Sequence, residues 1–237
     1  VTATFRSSAV LVRSVDYGEA DRIVTLLTEQ HGLVAALARS ARKSKKRFAG
    51  SLEPFGVIEA ELALGRGDVG RLASARLTRG FPTLLARLPA MREAGRALEL
   101  VRATTPPRES DPRLLAAVVR LFETLSEEGV NAEAARIAFE LRYLALLGLA
   151  PRVDVCARCG RTPEPEQSAL FDGAAGAIVC RACGGGPILL PARTRRLMSG
   201  AMTEAWTSEL EAWTTDDLHS ASEAIDAFVE RQIAVRR

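Results

Sequence analysis

Phe55-Gly56-Val57-Ile58-Glu59-Ala60-Glu61-Leu62-Ala63-Leu64 alternates with a period of two. Ile58, Ala60, Leu62 and Leu64 fall to one side, Glu59 and Glu61 to the other. Successive side chains of a strand point to opposite faces, so the stretch reads as a strand with one buried face. The sequence around it supplies four more strands. Residues 5–15 carry three valines and no helical period, and 23–28 and 70–81 are short apolar runs bounded by turn residues. Residues 33–42 read the same way, although their alanines favour helix. Asp16-Tyr17-Gly18-Glu19 and Glu29-Gln30-His31-Gly32 are tight connections. Five short strands in residues 1–81 predict a small closed or partly open barrel, with an OB-fold as the leading candidate.

The third predicted strand runs into Arg39-Ser40-Ala41-Arg42-Lys43-Ser44-Lys45-Lys46-Arg47. Six of these residues are cationic and none is acidic; Lys43, Lys45 and Lys46 are all the lysines of the chain. A crowded row of cations repels itself and is best tolerated against a polyanion. Its bland alternative is a solvated loop. Phe48 follows directly, and cations on a backbone beside an aromatic that stacks a base is the chemistry of single-strand binding. Residues 1–80 hold 13 Lys+Arg against 8 Asp+Glu, so the excess positive charge of the chain, +3 in all, belongs to this third. Arg39, Arg42, Lys43, Lys45, Lys46 and Arg47 are the candidate phosphate contacts.

Gly65-Arg66-Gly67-Asp68-Val69-Gly70 matches the spacing of a dinucleotide-binding loop. That reading needs a helix next, and a strand pattern follows instead, so the stretch is a glycine-rich hairpin connection. In an OB-fold it would border the binding face, which adds Arg66 and Arg71 as candidates.

After Pro82 the period changes. Leu84, Leu85, Leu88, Met91, Leu98 and Val101 recur at helical spacing, interrupted by Pro89. Residues 104–112 form a proline-rich loop, and Leu115, Val118, Phe122 and Leu125 share the next helical face. Asn131 is placed to cap a helix carrying Ile137, Leu141, Leu144 and Leu147. Helix returns after Pro191 with Leu197, Met198, Ala201 and Met202. Trp206 and Trp213 are spaced to share a helical side, and Thr215 or Asp216 caps a last helix through Leu218, Ile225, Phe228 and Ile233.

Cys156-Ala157-Arg158-Cys159 and Cys180-Arg181-Ala182-Cys183 contain every cysteine of the chain. Two such pairs suit one tetrahedral zinc ion held by four thiolates. Gly160 and Gly184 follow the pairs and let the backbone turn closely around the ion. Two disulfides would require an exporting context. With four protein ligands the ion has no open position for water, so a structural role is expected. Leu170-Phe171 and Ala177-Ile178-Val179 predict a two-stranded ribbon between the pairs.

Other chemistry is missing. No P-loop occurs, His31 and His219 lie in no triad or metal spacing, and no carboxylate pair stands out. Neither a membrane-length apolar run nor an export-signal layout is visible, so a cytoplasmic, non-enzymatic protein is expected.

The chain resembles the bacterial recombination mediator family RecO over essentially its full length. The residues that carry this are Arg13-Ser14-Val15-Asp16-Tyr17-Gly18-Glu19-Ala20-Asp21-Arg22-Ile23-Val24, Gly32 to Ala38, the basic run ending Phe48-Ala49-Gly50-Ser51-Leu52-Glu53-Pro54-Phe55, and Leu144 to Pro151 before the cysteines. The resemblance implies an N-terminal OB-fold, a helical domain and a zinc module that is filled here. It also implies binding of single- and double-stranded DNA, annealing, and work with RecR to load RecA onto DNA coated by single-strand binding protein, at the nucleoid. The expected class is α+β: residues 1–81 an OB-fold barrel, 82–151 and 191–237 a helical domain, 152–190 an inserted zinc ribbon. A zinc-ribbon interaction scaffold and an RNA-binding OB-fold protein are the alternatives.

Overall fold

The computed structural model describes residues 4–44, 46–48 and 50–233, the side chain of Ile233 excepted. Two compact units divide the chain, residues 1–127 and 128–237.

The first unit opens with β1 (Thr4–Tyr17), β2 (Asp21–Thr28), β3 (Gly32–Ala38), β4 (Gly56–Ala63) and β5 (Val69–Gly80). They close into a barrel in the cyclic order β1-β2-β3-β5-β4. Four pairings are antiparallel; β3 and β5 make the parallel seam, with Ala35, Ala36 and Leu37 opposite Val69, Gly70 and Arg71. The five-stranded OB-type reading is borne out. Ile58, Ala60 and Leu62 join Leu11, Val24, Leu26 and Val34 in the barrel core, while Glu59 and Glu61 stay outside with Arg76 and Ser74. Ala36 and Ala38 also belong to that core, so the alanines of β3 reflect a narrow interior rather than a helix.

Pairing of β1 with β4 ends at Val10 opposite Val57. A bulge between Leu11 and Arg13 follows, and from there to Tyr17 β1 is paired with β2. Across this free edge lie Leu52, Glu53 and Pro54.

β3 stops at Ala38, four residues before the expected end. Ser40 adopts φ +54 and donates its N–H to Asp21 Oδ1 at 2.7 Å, which turns the chain out of the sheet. The following loop re-enters the barrel at Phe48, only 2% exposed, and Leu52, both part of its core. Ala75 N–H donates to the Arg47 carbonyl at 2.9 Å and the Ser51 hydroxyl donates to Ala75 O, so this re-entry is fastened to β5.

α1 (Pro82–Leu85), α2 (Leu88–Thr104) and α3 (Pro112–Leu125) complete the unit. Pro89 does not interrupt a helix; it lies in the first turn of α2, where its missing N–H costs nothing. Leu85 and Leu88 consequently sit at a helix junction and are exposed rather than buried. α2 packs on β1 and α3 on β2, within the first compact unit. The loop between α2 and α3 is tied down as well. Arg108 N–H donates to Leu33 O at 3.0 Å, its guanidinium reaches the carbonyls of Gly65 and Gly67, and Ser110 Oγ donates to Glu29 O at 3.1 Å.

The second unit starts at α4 (Ala132–Leu146), capped as expected by Asn131, whose side chain accepts from the N–H groups of Glu133 and Ala134. β6 (Ala169–Asp172), β7 (Ala177–Val179) and β8 (Ile188–Leu190) form a sheet in the order β7-β6-β8. The third strand was absent from the two-stranded expectation, because Ile188-Leu189-Leu190 is too short to show a period. α5 (Ala192–Ala201) and α6 (Thr215–Phe228) follow. α5 ends before Trp206, so the tryptophans share no helical side; both are buried, Trp206 against Phe139. Thr214, not Thr215 or Asp216, caps α6, in a reciprocal box with Asp217.

Asp217 also joins α6 to α5. It accepts from Thr194 Oγ1 at 2.6 Å and pairs with Arg193 at 3.0 Å, with its side chain 5% exposed. Burial pushes its carboxyl up, but hydrogen bonds from Thr194, Thr214 and Arg193 outweigh that and hold it at about 2. The unfolded value is about 4. A depressed carboxyl contributes stability above its unfolded value and loses it as pH falls through the folded one. Asp217→Asn is therefore expected to remove about 2 kcal/mol at neutral pH. The difference between the two proteins should close between pH about 4 and about 2. Denaturant unfolding at stepped pH measures it; a constant difference would show that the charge is irrelevant.

Candidate functional site

The cationic loop leaves the barrel beside the β1–β2 turn. Arg42 N–H donates to Ala20 O at 3.1 Å, and its guanidinium reaches Glu19 O at 3.4 Å and Asp16 at 3.7 Å. With the Ser40–Asp21 bond, these contacts stitch the third connection to the first. The sequence order alone hides this neighbourhood, since OB-fold binding loops are usually the first and fourth connections.

The described cations of the row occupy separate stations. Arg39 shares a surface hollow with Arg71, Leu37, Gly65, Val69 and Gly70 at the β3–β5 seam. Arg42 and Lys43 are exposed, Arg42 beside the β1–β2 turn. Lys46 and Arg47 border a second hollow with Arg6 and Arg76, shared with Glu59 and Glu61. Lys45 lies outside the described residues. Arg66 is exposed in the β4–β5 hairpin, whose carbonyls the Arg108 guanidinium holds. Arg47 reaches back to Arg39 O at 2.9 Å and lies over the Phe48 ring at 5.3 Å.

Phe48 is the correction. A ring that is 2% exposed inside the barrel cannot stack on a base. Its neighbours in sequence suggested exposure, but the loop turns at Ser44, whose Oγ accepts Arg47 N–H, and drives the ring inward. Arg6 and Arg76 are cations that sequence reasoning missed; each is an isolated strand residue there, and only barrel closure brings them to Lys46 and Arg47.

The cysteines do converge. The sulfurs of Cys156, Cys159, Cys180 and Cys183 all lie within 4.8 Å of one another and can hold a metal ion. Cys159 Sγ and Cys180 Sγ are 3.8 Å apart. Sulfurs bound at about 2.3 Å to one tetrahedral ion stand about 3.8 Å apart, so the spacing fits. Each knuckle is closed by backbone bonds: Gly160 N–H donates to Cys156 O at 3.0 Å and Gly185 N–H to Cys180 O at 3.1 Å. Gly160 and Gly184 adopt φ +71 and +107, conformations that L side chains avoid.

The four thiols do not share one electrostatic environment. Backbone N–H groups of Cys180, Cys159 and Arg158 hold the Cys156 thiol down to about 6. Hydrogen bonding to Cys180 and Cys159 pushes Cys183 up to about 12. Four thiolates this close repel one another unless a cation lies among them. Arg195 of α5 anchors the module: it donates to Val153 O at 3.1 Å and Gln167 O at 2.8 Å.

Fold and site together define a two-part protein: a small barrel bearing a cationic loop, then a unit of helices and a short sheet in which four cysteines converge and can hold a metal ion. Comparison with known families is consistent along the chain. The family model described as Recombination protein O N terminal matches residues 3–81, and Recombination protein O C terminal matches residues 90–237. The chain belongs to the RecO family. A DNA repair protein RecO of Anaeromyxobacter sp. (strain K) is 39% identical over 97% of this chain and 93% of that protein. Proteins of the same name from Myxococcus xanthus (38% identity; 84% of this chain, 83% of that protein) and Geobacter sulfurreducens (39%; 81% and 78%) are also similar. A role in DNA repair follows from this membership. Among the described residues no helix is long and apolar enough to cross a membrane.

Proposed function

We propose that the protein is a non-enzymatic recombination mediator. It binds single- and double-stranded DNA through the cationic loop of its barrel, anneals complementary strands, and with RecR promotes loading of RecA onto DNA coated by single-strand binding protein. It works in the cytoplasm, at the nucleoid. The observation that carries this reading is the loop itself: all three lysines of the chain lie in it, within the four residues 43–46, and Lys43 and Lys46 are exposed. Annealing needs no catalytic residue, because shielding two polyanions at one surface raises their encounter rate. The metal is zinc in a structural role. Four sulfur donors suit it, and they leave no coordination position for water.

Salt dependence tests the reading. If Arg39, Arg42, Lys43, Lys45, Lys46 and Arg47 all neutralise phosphates, log affinity for single-stranded DNA falls against log salt with a slope of roughly −4. Replacing the three lysines with alanine flattens it by about 2 units. An unchanged slope removes the loop from the interface. Matched RNA oligonucleotides serve as a control, since tighter binding to RNA would point to a protein that reads the 2′-hydroxyl.

A further inference from the structure

With Phe48 buried, the interface lacks the aromatic that single-strand binding uses. The structure offers another on the free edge of β1. Tyr17 is 56% exposed and Val15 43% exposed. Arg13, Val15 and Tyr17 are two residues apart along one strand, so they share one side of it. An exposed aromatic, an exposed valine and an exposed cation thus stand in one line on this strand. The turn that follows Tyr17 is also the turn to which the cationic loop is stitched, through Ala20, Asp16 and Asp21.

Building on the reading above, we propose that Arg13, Val15 and Tyr17 form a base-contacting strip for single-stranded DNA, with Tyr17 as the stacking side chain. Charge divides the labour. The loop cations take the phosphates. Asp16, Glu19 and Asp21 surround Tyr17 in sequence; Asp16 is engaged by Arg22 at 3.2 Å and Arg42 at 3.7 Å, and Asp21 accepts the Ser40 N–H. These carboxylates discourage a phosphate at the turn and leave the neutral face of a base as the group that fits there. Every base has such a face, so the strip tolerates any sequence. Arg13 can meet the backbone again at the other end of the strip. Duplex DNA keeps its bases stacked inside and gains nothing from Tyr17.

The test uses the full-length, metal-loaded protein and a labelled oligo(dT), with a duplex of equal length beside it. Tyr17→Ala is expected to weaken oligo(dT) binding roughly tenfold while leaving the salt slope and duplex affinity unchanged. Tyr17→Phe should keep wild-type affinity, because stacking needs the ring and not the hydroxyl. Tyr17→Trp should bind as well or better, and its fluorescence should be quenched by the oligonucleotide. Oligo(dT) affinity in Tyr17→Ala equal to that of the wild type overturns the strip and leaves the cationic-loop reading standing. Failure of the wild type to bind oligo(dT) overturns both, and the unmutated arm shows it at once.

Discussion

Cys156→Ser should yield a protein that purifies with clearly less than one metal ion per chain and has lost the fold of residues 153–190. Cys156 is the most buried of the four cysteines, 3% exposed, and its sulfur accepts the Cys180 N–H at 3.4 Å. The three strands around it are three or four residues long, too short to hold without staples. Structural zinc contributes about 10–16 kcal/mol in small peptides, as large as the whole stability of an ordinary domain. Loss here is expected to be local. α4, α5 and α6 also pack on one another, with Ile137, Phe139, Leu141, Leu144 and Ile225 buried. Metal analysis and hydrogen exchange read the outcome. Protection lost across 153–190 but kept in the barrel strands is the expected pattern. Full protection in a metal-free variant would mean that the four sulfurs converge for some other reason.

Phe48→Ala is the second large effect, and it separates packing from binding. The ring fills the barrel end, so its removal should cost about 3–5 kcal/mol in urea unfolding of the intact chain. Phe48→Leu keeps most of the volume and should cost about 1.5 kcal/mol or less. A stacking residue would behave in the opposite way: little change in stability and much weaker DNA binding. Because the alanine variant can fail to fold, the leucine variant carries the argument. It should stay folded and bind oligo(dT) as the wild type does. Weak binding by a stable Phe48→Leu protein would return Phe48 to the interface.

Phe48 also shows where sequence stops being informative. The barrel strands were legible because their core positions alternate, and Ile58, Ala60 and Leu62 landed where the period put them. Alternation says nothing about a residue in an irregular loop, so an aromatic after six cations looked like a stacking partner. Only the path of the chain, turned at Ser40 and Ser44 and fastened to Ala75, decides that it points inward. Tyr17 was hidden for the converse reason. It stood in a predicted turn, and β1 proved longer than its apolar run because β2 pairs with it as far as Tyr17 opposite Asp21.

The cysteine site was fully legible, since pair spacing is itself a geometric statement. Its surroundings were not. β8 is a three-residue strand defined by its partner, and Arg195 reads as a surface residue of an arginine-rich helix until its guanidinium is found among the carbonyls of Val153 and Gln167. The helices of 82–125 were recognised, but the surfaces they pack on were not. Helical period marks a buried face without naming what covers it, and here α2 and α3 use theirs on β1 and β2.

The most direct check of the account is amide hydrogen exchange on the intact, zinc-loaded protein at low ionic strength, with and without single-stranded DNA. Added DNA should slow exchange in residues 39–47 and in the β1–β2 turn, and leave residues 153–190 as they were. No binding under those conditions, or slowing confined to the cysteine module, would contradict a barrel that holds DNA while the metal only supports the second unit.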